Sequence, residues 1–235
     1  MRQIILDTET TGLRTEDGDR IIEIGCIELV DRKFTGNNFH EYINPHKIIH
    51  DEAFKVHGIS NEFLQDKPSF KDVYKKFYDY INGAELIIHN AAFDVGFIDY
   101  EFKLLQKKIK PVADICKITD TLLMARQLHV GQRNSLDALC KRYGVDGSKR
   151  DLHGALLDAD LLAKVYLAMT GGQGSFFDEA ESEEVAHVEQ TKDKLSFNYS
   201  SKPLKVLRAS SEELNSHDEI LNMLAKDSEC LWKVD

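Results

Sequence analysis

Nine residues near the start of the chain, Ile4-Ile5-Leu6-Asp7-Thr8-Glu9-Thr10-Thr11-Gly12, constrain its fold more than any other stretch. The β-branched apolar run predicts a buried strand, and at its end stand two carboxylates, then hydroxyls and a glycine that permits a sharp exit. Side chains alternate along a strand, so Asp7 and Glu9 point to one face. Two acids held side by side repel each other unless protons or cations compensate, and a hard divalent cation is the natural guest. An Asp-x-Glu pair also occurs as a solvated strand end, so the pair alone decides nothing.

The pattern that follows fills in a sheet and its helices. Arg20 to Val30 alternates apolar and polar residues, with Ile22, Ile24 and Cys26 or its neighbours inward, and Phe34 to Ile43 reads as a third strand. Asp31-Arg32-Lys33 between them reads as a tight turn, which makes an antiparallel meander. Short helical pieces over 51–56 and 61–65 flank His57-Gly58. Phe70, Val73, Phe77, Tyr80 and Ile81 recur at helical spacing behind Ser69, a helix N-cap. Glu85 to Asn90 is a fourth strand running into a helix over 92–106, whose apolar face holds Phe93, Phe97, Ile98, Phe102 and Leu105. A strand over 113–118 follows, then helices over 120–128 and 135–143, the second ended by Gly144. An amphipathic helix over 153–169 closes the series. A meander followed by strand–helix units implies an α/β fold, a mixed five-stranded sheet with helices on both faces.

At Gly171-Gly172 the texture changes, and residues 178–189 are acid-rich and poor in large apolar side chains, as in a flexible linker. Order is expected to resume at Pro203, with a helix over 211–224 and the single tryptophan, Trp232. The expected division is a domain over 1–170, a linker over 171–202 and a terminal piece over 203–235. Segments shorter than about 40 residues rarely fold alone, so this flexible C-terminal tail needs a surface to dock on.

The net charge of −10 sits awkwardly with a nucleic-acid partner, since phosphate binding normally shows as a basic face. Splitting the chain resolves part of this: residues 171–235 carry 7 Lys+Arg against 14 Asp+Glu, which leaves a net of only −3 for residues 1–170. A nucleic-acid substrate is compatible with that balance, with metals or partners supplying the attraction. Cys26, Cys116, Cys140 and Cys230 are scattered, without the spacing of a disulfide framework or a zinc site, and read as core or incidental thiols. No basic n-region precedes the first strand and no apolar run reaches membrane-spanning length, so a cytoplasmic protein with no membrane partner is expected.

Two more acids and a histidine join Asp7 and Glu9. Asp94 sits on the first turn of a helix leaving a strand, where its carboxylate can turn back over the sheet end; the alternative is an acid that merely complements the helix dipole. In His153-Gly154-Ala155-Leu156-Leu157-Asp158, five helical positions rotate by about 140°. His153 and Asp158 can therefore share a site only if His153 reaches it from the helix start or the preceding loop, a bend that Gly154 allows. The alternative is a solvated histidine and an unrelated surface acid. Asp151, two residues earlier, has no assigned role. Together these residues give four carboxylates and a base that titrates near neutrality. Four carboxylates formally cancel two divalent cations, and two cations roughly 3.5 to 4 Å apart stabilise the entering and leaving oxygens of a phosphoryl displacement.

At these residues the sequence resembles the DEDD exonuclease superfamily, of RNase H-like fold, and its branch whose last motif is His-x4-Asp. The likeness runs through Leu6 to Gly12, Ile22-Glu23-Ile24-Gly25, Val56-His57-Gly58-Ile59, His89 to Asp94, Arg133 to Leu139 and Leu152 to Asp158. It spans essentially residues 2–170 and is similar to the proofreading subunits of replicative DNA polymerases. The resemblance implies that Asp7, Glu9, Asp94 and Asp158 hold two divalent cations, Mg²⁺ or Mn²⁺, and that His153 is the general base. It also implies a pocket for the 3′-terminal nucleotide of DNA near Thr8, Thr10, Val56, His57, Asn90 and Phe93. Phe93 offers a stacking surface or, equally, a core contact, and His57 is a rival for the base.

The tail carries a second resemblance. Gln173-Gly174-Ser175-Phe176-Phe177 is similar to the short motifs by which replication proteins bind a sliding clamp, and paired phenylalanines suit an apolar pocket on a partner. Its glycine stands where larger residues are common, which implies low affinity; Phe176 and Phe177 folding back on the domain is the alternative. Leu204 to Trp232 resembles a segment that docks on a polymerase catalytic subunit. The implied activity is metal-dependent 3′→5′ removal of mispaired terminal nucleotides as 5′-monophosphates. The alternatives are a free-standing ribonuclease or oligoribonuclease of the same branch, or a structural polymerase subunit with little catalysis.

Overall fold

The structure, a computed structural model, describes residues 1–148, 152–171 and 209–224. It divides into two units, Met1–Glu183 and Glu184–Asp235. The first is built on one mixed sheet. Strand β1 (Arg2–Thr10) lies at its centre, antiparallel to β2 (Ile21–Val30) on one side and parallel to β5 (Glu85–Ile88) on the other. Beyond β5 comes the parallel strand β6 (Lys117–Asp120), and β2 also pairs with β3 (Lys33–Phe34) and β4 (Phe39–Tyr42).

The sheet therefore has six strands where the sequence suggests five, because the stretch 34–43 breaks into two pieces that both pair with β2. A second difference lies at 113–118. Val112–Ile115 forms a turn of helix and the strand starts only at Lys117. Val112 and Cys116 are buried four positions apart, a helical spacing too short to stand out from a strand in sequence.

Helices α1 (Asp51–His57), α2 (Asn61–Leu64) and α3 (Phe70–Ile81) follow the meander, and α4 (Ala91–Leu104) follows β5. After them come α5 (Val112–Ile115), α6 (Thr121–Leu128), α7 (Leu136–Tyr143) and α8 (Ala155–Thr170). Ser69 caps α3 through a reciprocal bond with Asp72, as expected of an N-cap. Ile4 and Leu6 face a core shared with Phe70, Phe77, Phe97 and Ile98, whereas Ile5 faces one shared with Leu139, Leu162 and Val165. Fully burying each such side chain contributes roughly 1.5–3 kcal/mol. Helices thus cover both faces, and this is why β2 is buried along almost its whole length instead of showing one wet face.

In the second unit, α9 (Ser211–Leu224) matches the expected helix. Ser210 and Glu213 explain its start: the Glu213 amide donates to Ser210 Oγ at 3.2 Å and the Ser210 amide to Glu213 Oε2 at 2.7 Å. Cys26, Cys116 and Cys140 are free buried thiols. Cys230 and Asp151 lie outside the described residues. Among the described residues, no helix is long and apolar enough to cross a membrane.

Candidate active site

The alternation of β1 sorts its polar end. Asp7 and Glu9 share the face of Ile5, towards α8, and pair in register with Gly25 and Glu23 of β2. Thr8 points the other way, towards α4, where its hydroxyl donates to Asp94 Oδ1 at 2.7 Å. Asp94 occupies the first turn of α4 and is 3% exposed. Burial pushes its carboxyl up to about 7, against the lowering effect of the Thr8 hydroxyl.

Two devices aim α4 at the sheet end. Asn90 takes a left-handed conformation, φ 69°, which an asparagine tolerates better than most residues. The Asp120 carboxylate accepts the amides of Asn90 (3.2 Å) and Ala91 (3.1 Å), and also that of Leu122 (2.8 Å) on α6. One acid thus caps two helices that wall the same cavity.

Helix α8 begins at Ala155, so His153 lies off the helix and Asp158 on it, the arrangement the 140° argument requires. His153 Nδ1 stands 3.4 Å from Asp158 Oδ2. The bend does not depend on Gly154, whose backbone is extended (φ −153°) and beside which a Cβ would meet nothing within 4 Å. The glycine that matters is Gly25. A Cβ there would lie 2.2 Å from the backbone of Ala155 and Leu156, so only glycine lets α8 descend onto the sheet beside Asp7.

These elements enclose a cavity of about 590 Å³ lined by Asp7, Thr8, Glu9, Asn90, Phe93, Asp94, His153 and Asp158. Eight of the residues singled out in the sequence thus converge. Phe93 lines the cavity and also packs inward, its ring centroid 4.8 Å from that of Phe97. Thr10, Val56 and His57 are not in the lining. Thr10 is buried and its hydroxyl donates to the Gly12 carbonyl. The Val56 carbonyl accepts the His153 amide at 3.0 Å. His57 is buried behind the site with Nδ1 accepting the Ile59 amide, and Nε2 has no partner among the described residues. Burial lowers its pKa. Gln173, Phe176, Phe177 and Trp232 fall outside the described residues.

The lining also carries residues to which the sequence reading gave no site role: Arg126 and Gln132, and, from the motifs quoted above, His89, Asn134 and Asp137. Arg126 stands four positions after Leu122 on α6, and both line the cavity. A lone arginine in a helix looks like any solvated charge, and only the fold turns it inward.

The donor set fits a hard divalent cation. Glu9, His153 and Asp158 each offer a ligand atom, and these atoms lie within 4.8 Å of one another. Asp7 and Asp94 line the same cavity and bring two further carboxylates to it.

A mixed sheet covered on both faces, with acids and a histidine gathered over one edge of its central strand, has the organisation of a metal-dependent nuclease. A family model described as "Exonuclease" matches residues 4–166. DNA polymerase III subunit epsilon of Haemophilus influenzae is 54% identical over 245 residues, covering 98% of this chain and 94% of that one. Among solved structures, exonuclease X in complex with 5′ overhanging duplex DNA is 26% identical with a TM-score of 0.57, covering 73% of this chain and 93% of that one. The nuclease domain of 3′hExo, a DEDDh family member bound to rAMP, shares the fold, with 21% identity, a TM-score of 0.61 and coverage of 72% and 90%. The chain belongs to the exonuclease family and, within it, to the DNA polymerase III subunit epsilon family, and it is a metal-dependent 3′→5′ exonuclease of the proofreading kind.

Proposed function

We propose that this chain hydrolyses mispaired 3′-terminal deoxynucleotides to 5′-monophosphates within a replicative polymerase assembly. Asp7, Glu9, Asp94 and Asp158 hold two divalent cations, Mg²⁺ or Mn²⁺, and His153 is the general base. The observation that carries the reading is the convergence of those five side chains on one cavity that also offers a phenylalanine face and an arginine. When bound, the cations supply positive charge to both the entering and the leaving oxygen of the phosphodiester.

The chain's own groups do the rest. His153, whose side chain is 46% exposed, meets solvent at the cavity and takes the proton of the attacking water. Asp158, beside its Nδ1, orients the ring and stabilises the imidazolium that results. Phe93 stacks against the terminal base, Thr8 and Asn90 line its seat, and Arg126 meets a backbone phosphate. Outside the lining, Val56 holds the His153 amide and the Thr10 hydroxyl ties the end of β1 to Gly12, while His57 accepts the Ile59 amide at the end of α1; through these bonds the three support the seat. A mispaired end costs less to unpair than a matched one, which favours its entry.

Residues 203–235 are the docking segment for the DNA polymerase III catalytic subunit, and the amphipathic α9 supports that reading with Leu214, Ile220 and Met223 exposed along it. Gln173 to Phe177, with Phe176 and Phe177 as anchors, is the weaker contact, to the sliding clamp. Trp232 belongs to the polymerase contact.

The test uses a primer with a mismatched 3′ end, its matched counterpart and an RNA of the same sequence, each with Mg²⁺ or with EDTA. The mismatched DNA should be shortened fastest, with release of 5′-monophosphates and only when metal is present. Faster loss of the RNA would favour the free-standing ribonuclease instead.

A further inference from the structure

Glu23 of β2 is a carboxyl side chain in the core, 2% exposed, and has no part in the chemistry above. It pairs with Glu9 across the sheet and so projects from the same face. Both of its oxygens are engaged by protein donors. Oε2 accepts the amide of Ala155 at 3.1 Å, and Oε1 lies 2.7 Å from His40 Nε2. Ala155 is the first residue of α8, so the contact satisfies an amide that the helix leaves without an internal partner, at its positive end.

The place of this contact gives it a consequence. His153 stands two residues before Ala155 and Asp158 three residues after it. The His153 amide is held by the Val56 carbonyl at 3.0 Å, and the Asp158 amide closes the first helical turn on the Gly154 carbonyl at 2.8 Å. Alternate amides of the 153–155 segment are thus pinned by two different elements, α1 and β2. Gly58, which ends α1 in a left-handed conformation (φ 69°), packs against Leu152, so the α1 clamp also grips the residue before His153.

We propose that Glu23 is a positioning residue: by capping Ala155 from the sheet it fixes the start of α8, and with it the placement of His153 relative to Asp158 and Glu9. This rests on the reading of His153 as the base. A misplacement of about 1 Å at a reacting group can cost up to roughly a hundredfold in rate, so the cap governs turnover more than substrate affinity. What the role needs is a neutral or charged oxygen at that reach. It does not need a carboxylate as such, which separates it from a role as a further metal ligand.

Two variants of the full chain divide these possibilities. Glu23→Gln keeps an oxygen on the Ala155 amide, and Glu23→Asp keeps the charge but withdraws it by one methylene. On the mismatched primer at saturating Mg²⁺, Glu23→Gln should retain kcat within about threefold, with an unchanged Mg²⁺ midpoint. Glu23→Asp should lose roughly ten- to a hundredfold in kcat with little change in KM. The reverse order, an Mg²⁺ midpoint raised in Glu23→Gln, or parental kcat in Glu23→Asp would overturn the proposal. A parent chain without metal-dependent cleavage would instead refute the nuclease reading on which it stands.

Discussion

Thr8 and Asp94, 86 positions apart in sequence, are joined by a 2.7 Å hydrogen bond at the floor of the site. Thr8 leaves β1 on the face opposite Asp7 and Glu9, so a single strand offers two acids to one side and a hydroxyl to the acid arriving on the other. Thr8→Val keeps the shape and deletes the donor to a carboxylate that is 3% exposed. Loss of a partner for a buried polar group costs about 1–3 kcal/mol, and urea unfolding should show a decrease of that size, largely absent in Thr8→Ser.

Arg20 and Glu101 make the second long-range tie. The Arg20 guanidinium donates to both Glu101 oxygens at 2.7 Å each, which fixes α4 against the start of β2. Glu101 is 1% and Arg20 26% exposed at the side chain. Arg20→Ala leaves the buried Glu101 carboxylate with the Ile21 amide (3.3 Å) but without its cation, and should destabilise by about 3 kcal/mol, the lower end of the usual range because Arg20 keeps contact with water and that amide remains. Replacing both residues with apolar ones of similar volume should restore much of that loss in the same unfolding assay.

His57 supplies a pH dependence. Burial holds its pKa below the ordinary value, so the unfolded chain takes up a proton as the pH is lowered below about 6.5 while the folded chain resists it. More protons on the unfolded state means that stability is full above that pH and falls as the pH drops beneath it. His57→Gln, measured by thermal unfolding in EDTA between pH 7 and pH 5, should show a shallower fall than the parent. Equal slopes would mean that His57 titrates alike in both states.

Arg126 lines the cavity that also holds the acids. If it meets a phosphate, Arg126→Gln should raise KM for single-stranded DNA, leave kcat nearly intact, and reduce the dependence of log KM on log salt by about one contact. A pure loss of kcat would place it in the chemistry instead.

The sequence reveals the parts of this site that are written locally. Asp7 and Glu9 follow from the period of a strand, and the separation of His153 from the helix of Asp158 follows from the pitch of a helix. Asp94 is visible as a first-turn acid. Local patterns do not reveal what the fold assembles from distant pieces, such as the Asp120 carboxylate that caps both α4 and α6, or Arg126 turning inward on α6. Short elements fail for a related reason: α5 has four residues, too few to show a period. Gly154 is expected to allow the bend, yet the bend uses extended backbone open to any residue, and the glycine the packing requires is Gly25.

The most direct test of the carboxylate site is Asp7→Ala, a change at a partly exposed position on β1, assayed beside the parent on a mismatched primer with saturating Mg²⁺. With thermal unfolding confirming the fold, the variant should release no 5′-monophosphate while the parent degrades the primer. Cleavage by the variant at the parental rate would contradict the assignment of Asp7 and its neighbours as the metal-holding centre.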